Sequence, residues 1–419
     1  MSSIGGDRDA GVVLPLAITL AIQAMAAMAS VTVPVLAPVA SVDTGVALNY
    51  IGVFMAIFYF GGMVSSLASG DFILRYGPIR VSQCCLVNCG IGLAATAVGF
   101  LPLMILGALL IGIGYGPVTP ASSHLLAKTA PPHLMSLTFS IKQTGVPMGG
   151  AMAGALVPPL VLYLGWKWAS IVVGGVCVLL AVLAETSRGT LDTDLQKDRR
   201  LSFTGITDPL KLVYSLPSIR ELAVTSFFFA AMQVCLSTYF VSFLMTALNV
   251  PLVQAGLTLT VALTAGIVGR IVWGGIADRL VAPRKMLGIL GIVMSTSAAA
   301  TFGFTRSWPY AAVLVVSAFF GASAVGWNGV FLAEVVRLAP PGKAGTATGG
   351  TLFFAFFGGV IAPPLFGALA GAGHRYSFAY LVFAVPIFLL GLLLVWGKGY
   401  RWQAPWGPSR GRRRSTKAG

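Results

Sequence analysis

Charged residues are scarce in this sequence. Asp, Glu, Lys and Arg together make up 9% of its 419 residues, against about a quarter in an ordinary soluble domain. That scarcity excludes a solvated globular surface. Acids are scarcer still, 12 against 27 basic residues, and none falls in the interior of an apolar run; Glu334 stands about a turn from the end of its run. Three histidines and five cysteines form no cluster of the kind that a metal or hydrolytic centre needs. Cys84, Cys85, Cys89, Cys177 and Cys235 lie in apolar runs without paired histidines and read as small packing residues. Neither a disulfide, a metal, a cofactor nor an enzymatic activity is expected. The glycine-rich stretches "GIGYGP", "GGAMAGA" and "GGVIAPPLFGALAGAG" lack the Lys-Ser ending of a phosphate loop, so they read as close helix contacts and kinks.

What the chain has instead is apolar length: 57% of its residues are hydrophobic. Runs of about 20 residues, each enough to cross a hydrocarbon core of roughly 30 Å as a helix, recur over 12–36, 47–69, 81–100, 103–127, 137–163, 168–186, 221–247, 254–277, 285–304, 309–336, 346–370 and 377–398. Twelve spans define an all-α integral membrane protein. The first run lacks a basic leader, is too long for a signal-peptide core and is followed by more spans, so it reads as a retained helix. The polar stretch Glu185–Arg220 separates six spans from six. The expected units are a six-helix bundle over 1–186, a cytoplasmic linker over 187–220, a second bundle over 221–398 and a basic cytoplasmic tail over 399–419.

Basic residues fix the orientation. Lys142 and Arg270 fall within spans, Lys167, Arg306 and Arg375 on one side, and the rest on the other, which the positive-inside rule makes the cytoplasmic side. Both termini are then cytoplasmic, in the inner membrane. The tail "RGRRRSTKAG" reads as a topology signal or a contact for anionic lipid, not as a nucleic-acid arm.

The two halves resemble each other. "GDFILRYG" (70–77) matches "GGIADRLV" (274–281), and "PPHLMSLTFSIKQTGVPMGG" (131–150) aligns without gaps on "PPGKAGTATGGTLFFAFFGG" (340–359). Lys128 then corresponds to Arg337. Parallel repeats of this kind surround a shared central cavity in many carriers.

On these residues the sequence resembles the major facilitator superfamily of secondary transporters over essentially the whole chain. The loop signature Gly-x-x-x-Asp-Arg is carried by Gly274, Asp278 and Arg279; the first-half copy keeps Gly70, Arg75 and Gly77 but has Leu74 in place of the acid. The resemblance implies two pseudo-symmetric six-helix bundles around a central cavity, and a gate in which the loop Asp faces a helix N-terminus while the Arg pairs with an acid of the fourth span of its half. That acid is Glu334 in the second half, and Leu125 stands at its place in the first. The expected latch therefore operates in the second half, with Asp71 as a substitute acid in the first; the bland alternative is solvation at the membrane edge. Within the superfamily the sequence is similar to the oxalate/formate and monocarboxylate carriers and to bacterial cyanate-type permeases. The carboxylate carriers place an arginine two turns ahead of the loop motif, as Arg270 stands ahead of Asp278. The lysine of the oxalate carrier's eleventh span has no counterpart here.

Eight residues of helix put Arg270 about 12 Å from the end of its span, and Lys142 lies about 9 Å into the fifth. A buried cation costs several kcal/mol unless paired, and no acid is on hand. Either the two bond backbone carbonyls and support the gate, or an anionic ligand supplies the charge, held by the guanidinium fork and the ammonium. Other candidate contacts are Gln23, Gln143, Gln233, Tyr239, Tyr115 and the Trp327-Asn328 pair, an aromatic lid suited to a substrate with a small apolar part. Each serves equally as a helix-packing contact. His124 and His133 titrate near neutrality, but neither lies deep. A coupled proton would then ride on the substrate or Lys142, or the carrier exchanges anions.

The reading favoured by the sequence is a secondary transporter, working as a monomer, that moves a small organic anion, a carboxylate above all, by alternating access in symport or antiport. The alternative within transport is efflux of drugs or hydrophobic compounds, which goes with buried acids where this chain buries bases. A membrane enzyme or sensor would need a buried catalytic cluster or a soluble output domain.

Overall fold

The computed structural model describes residues 5–131, 135–198, 207–341, 343–371 and 376–397. Among them every regular element is helical: α1 Gly5–Thr44, α2 Ile51–Tyr76, α3 Pro78–Ala97, α4 Leu101–Tyr115, α5 Val118–Thr129, α6 Met135–Gln143, α7 Gly145–Leu191, α8 Asp208–Ser215, α9 Pro217–Leu248, α10 Leu252–Arg279, α11 Pro283–Ala300, α12 Tyr310–Ala324, α13 Asn328–Leu338, α14 Ala344–Gly371 and α15 Tyr376–Trp396. Eleven apolar helical segments are long enough to cross a membrane. One of them, Thr138–Leu191, is two spans joined at Gly165, whose φ of 79° breaks the helix. The result is twelve spans, six on either side of the linker.

Local chemistry explains where the helices stop. Gly77, at φ 96°, ends α2, and Pro78 begins α3 at once, where a missing N–H costs nothing. Asn249 in the left-handed region ends α9 ahead of Pro251. Three spans are broken in mid-membrane: the fourth at Gly116–Pro117, the fifth at Thr144, and the tenth over residues 325–327.

The linker between the halves is partly helical. α7 runs on to Leu191, and the short helix α8 packs beneath α14, burying Val213; a Cβ on Gly350 would overlap Pro209 O and Val213. His133, the tail 399–419 and part of the linker lie outside the described residues.

The halves meet along α2 with α14, α7 with α10, and α1 with α9. Contact is close on the side away from the linker, the far face. There a Cβ on Gly52 would overlap Tyr239 Oη and Pro363 O, one on Gly154 would overlap Gly256 O, and one on Gly367 would overlap Asn49 O. On the same helix faces toward the linker, Gly70, Gly274, Gly345 and Gly349 each have open space where a Cβ would stand. The molecule is closed on its far face and open on its linker face.

Candidate functional site

The breaks in the helices build the centre. Pro147 has no N–H to offer the carbonyl four residues before it, and that carbonyl, on Gln143, is the end of α6. It accepts Arg270 Nη1 from α10 across the interface between halves at 2.7 Å. Arg270 Nε bonds Val325 O, in the break between α12 and α13, at 3.1 Å. Nη2 has no hydrogen-bond partner among the described residues. So the backbone-carbonyl reading of Arg270 holds for two of its donors. A carbonyl, however, satisfies an N–H without cancelling a full charge.

Lys142, one residue before the freed carbonyl, is fully buried, and its Nζ meets Gln143 Oε1 at 3.3 Å. Lys142 and Arg270 lie within electrostatic range of each other, and Arg270 within range of Tyr115. Among the described residues no carboxylate pairs with either cation. α6 and α12 end and α7 and α13 begin at the breaks beside them, so the negative C-terminal ends that Arg270 bonds stand next to positive N-terminal ends and the helix dipoles largely offset each other there.

Gln23 is fully buried on α1, accepts a hydrogen bond from Thr119 Oγ1 at 3.1 Å, and packs on Gly145; its Nε2 is buried without a partner among the described residues. A small cavity of about 50 Å³ lies beside this group, lined from both halves by Ser30, Tyr59, Tyr115, Gln233, Ser237 and Val325 among others. It has room for a water or two, each taking about 30 Å³ in the liquid, and is far too small for a six-carbon acid. Gln233 is fixed by Trp327 Nε1 at 3.0 Å and Asn328 Nδ2 at 3.1 Å, both donating to its Oε1, which leaves its Nε2 on the cavity side.

The structure thus gathers Arg270, Lys142, Gln143, Gln23, Tyr115, Gln233 and Asn328. Trp327 joins this group only through Gln233, and Tyr239 lies apart from it. Trp327 is buried between Phe229 and Phe331 and orients Gln233 instead of forming a lid. Tyr239 closes the far face: its Oη donates to Pro363 O at 2.7 Å and lies 3.3 Å from Asn49 O, and its ring stacks on Phe366. Tyr59, Ser30 and Ser237 were missed. Ser30 follows Gln23 by seven residues and Ser237 follows Gln233 by four, so both shared a helix face with a recognised candidate; Tyr59 offered no such signal.

At the linker face the expected latch is apart. Glu334 is buried and makes a bidentate pair with Arg337, one turn on in the same helix, with Arg337 Nε and Nη2 each at 2.6 Å. Asp278 and Arg279 are exposed without a hydrogen bond or ion pair among the described residues. Arg337, three residues away on one helix face, reaches Glu334 without any closure of the gate. Gly70 sits on the open stretch of α2, and Arg75 stacks over Tyr76.

In the first half linker acids dock beside the ends of α2 and α5, where Leu74 and Leu125 stand at the places of the family's acids. Asp192, with its side chain 2% exposed, accepts Ile79 N at 2.9 Å and Arg80 N at 3.1 Å, capping α3. Gln196 N donates to the carbonyl of Leu74, the residue standing where the family has its acid, at 2.9 Å. Asp194 pairs with Lys128 at 3.1 Å and His124 at 3.4 Å at the end of α5. Burial raises the Asp192 carboxyl above its ordinary value, against the pull of its two backbone hydrogen bonds.

Comparison with known proteins agrees with this architecture. The geometry defines a multi-pass helical membrane protein, and a family model described as Major Facilitator Superfamily matches residues 18–363. The chain belongs to that superfamily. It is a transporter and not an enzyme. It is 22% identical over 362 residues to the hexuronate transporter of Bacillus subtilis, covering 83% of this chain and 85% of that one. It is 24% identical over 314 residues to the benzoate transport protein of Acinetobacter baylyi, covering 68% and 66%. The crystal structure of the nucleoside transporter NupG superposes with a TM-score of 0.74 at 15% identity, covering 91% of this chain and 98% of that one.

Proposed function

We propose that the protein carries a small organic anion, a carboxylate, across the cytoplasmic membrane by alternating access, with Arg270 and Lys142 as its anion-binding cations. The observation that carries this reading is the pair of cations at the interface between halves, without a carboxylate partner among the described residues. Hexuronate and benzoate, named for the two relatives, are both carboxylates. Efflux of cationic compounds fits poorly with a site of this sign.

The linker face is read as cytoplasmic, from the distribution of Lys and Arg, so the state described is open inward. An anion entering there meets Arg270 Nη2. Taking Nη1 as well, as a two-pronged carboxylate contact does, it competes with Gln143 O and so with a hydrogen bond that ties the halves together. Substrate binding and movement of the halves are thereby linked. Tyr59, Tyr115 and Gln233 then offer polar contacts to the body of the substrate, once the halves part enough to enlarge the central space. Outward opening has to break the Tyr239 contact with Asn49 and the packing of Gly52 on Tyr239 and Pro363 and of Gly154 on Gly256. Asp278, Arg279 and Glu334 are the latch that closes the linker face in that state. Charge balance leaves the proton on Lys142 or the substrate, or exchange for a second anion.

A matched panel tests the reading. Galacturonate and galactose, benzoate and benzamide, would be compared for thermal stabilisation of the purified protein. The acids should stabilise and their neutral partners should not; equal stabilisation by both members of each pair would remove the anion reading.

A further inference from the structure

Away from the interface between halves, a cavity of about 1040 Å³ opens among α2, α3, α4 and the start of the linker. That is the upper end of the roughly 300–1,000 Å³ range of small-molecule pockets. Its wall is apolar over most of its length, with Phe60, Val64, Leu109 and Ile113 on it, and all four side chains sit on the membrane span. Its linker end is basic, carrying Arg75, Arg80, Arg188 and Lys197.

Length, charge and wall chemistry point to one occupant. From Phe60 to Arg75 is fifteen residues of α2, about 22 Å, whereas one leaflet contributes about half of a 30 Å hydrocarbon core. An acyl chain can lie along the whole apolar wall with its headgroup at the basic end. Phe60 and Val64 are half exposed, at 51% and 49%, on a face that water does not reach within a bilayer. At the basic end one carboxylate, Glu185, serves two arginines, Arg80 at 3.3 Å and Arg188 at 3.0 Å. Asp192 is engaged by the backbone of α3 and lies 4.0 Å from Arg188 Nε, and Lys197 makes no ion pair among the described residues. Arg80, Arg188 and Lys197 still outnumber these two carboxylates where a phosphate would sit.

We propose that this cavity binds one anionic phospholipid, its phosphate held among Arg75, Arg80, Arg188 and Lys197 and an acyl chain lying along α2 and α4. Lys197 and Leu195 belong to the linker segment docked on α2 and α3. The lipid therefore bridges that segment to the bundle, and its presence strengthens the docking. The site is independent of the substrate reading.

Native mass spectrometry of the full chain with phosphatidylglycerol, phosphatidylcholine and inorganic phosphate tests this. One phosphatidylglycerol should be retained in preference to phosphatidylcholine, and free phosphate should not displace it. Lys197→Glu, on an exposed linker residue, should weaken retention by about tenfold or more. Ile113→Trp, which fills the apolar wall and leaves charge unchanged, should weaken it too, while Arg279→Gln, outside the cavity, should not. Retention of phosphatidylcholine equal to phosphatidylglycerol, displacement by free phosphate, or wild-type retention in both Lys197→Glu and Ile113→Trp would each overturn the proposal.

Discussion

The linker's hold on the first half can be measured through Asp192. Replacing it with Ala removes two charge-assisted hydrogen bonds to Ile79 N and Arg80 N and leaves two backbone donors at the start of α3 without partners. A hydrogen bond to a charged group is worth about 1.5–3 kcal/mol. Water entering the vacated space recovers part of that, so a net loss of about 2–4 kcal/mol is expected, or roughly thirty- to several-hundredfold in the docking equilibrium. Gln196 is the reporter, because its N–H bonds Leu74 O and lies four residues beyond the altered side chain in the same docked segment. Its amide should exchange with deuterium faster by about that factor. Asp192→Asn keeps an acceptor and removes a charge that burial penalises, so it should cost clearly less than Asp192→Ala. The same raised carboxyl sets the sign with pH: its contribution to stability improves, not worsens, as pH falls through its folded value. Unchanged exchange at Gln196 in Asp192→Ala would refute the docking argument.

Further outcomes follow from the same contacts. Single cysteines at residues 190 and 167 should label from opposite sides of intact cells, the former only from the cytoplasm; the reverse pattern would invert the topology. Gly256→Leu should block transport while leaving the fold intact, since the side chain would overlap Gly154 O and Pro158 and displace the far-face seal; normal uptake by a correctly folded variant would show that this contact is not part of the cycle. Asp278→Asn should impair transport more than Leu74→Ala at equal expression, because only the second half keeps the acid of the loop signature; equal losses would remove the asymmetric latch.

The spans were legible because each apolar run is long and its ends are marked by Gly, Pro or charge. Even the kink at Gly165 fell in the gap left between 163 and 168. α8 was not legible: eight residues give too few turns for periodicity to stand out in a polar stretch. The central cations were legible by depth and by the lack of acids. Their geometry was written less plainly, in Pro147 standing four residues after Gln143, which frees the carbonyl that Arg270 takes. Glu334 and Arg337 lie three apart on one helix, a readable spacing, but the resemblance to the family's loop signature pointed to Arg279 as the partner instead. The linker acids were hidden for a different reason. Asp192 meets Ile79 across 113 residues through an irregular segment, and the sequence marked the place only by what was missing, the acids absent at Leu74 and Leu125.

The most direct test of the central claim is anion affinity in purified Arg270→Ala, beside Arg270→Lys and Lys142→Ala, with the best carboxylate of the panel. Losing a charge-assisted contact from a desolvated site should cost on the order of 2–5 kcal/mol, about thirtyfold or more in affinity. Arg270→Lys should recover only part of this, because an ammonium cannot make the paired contact. If folded Arg270→Ala binds the anion with near-normal affinity, Arg270 only joins the two helix breaks and the anion-binding account is contradicted.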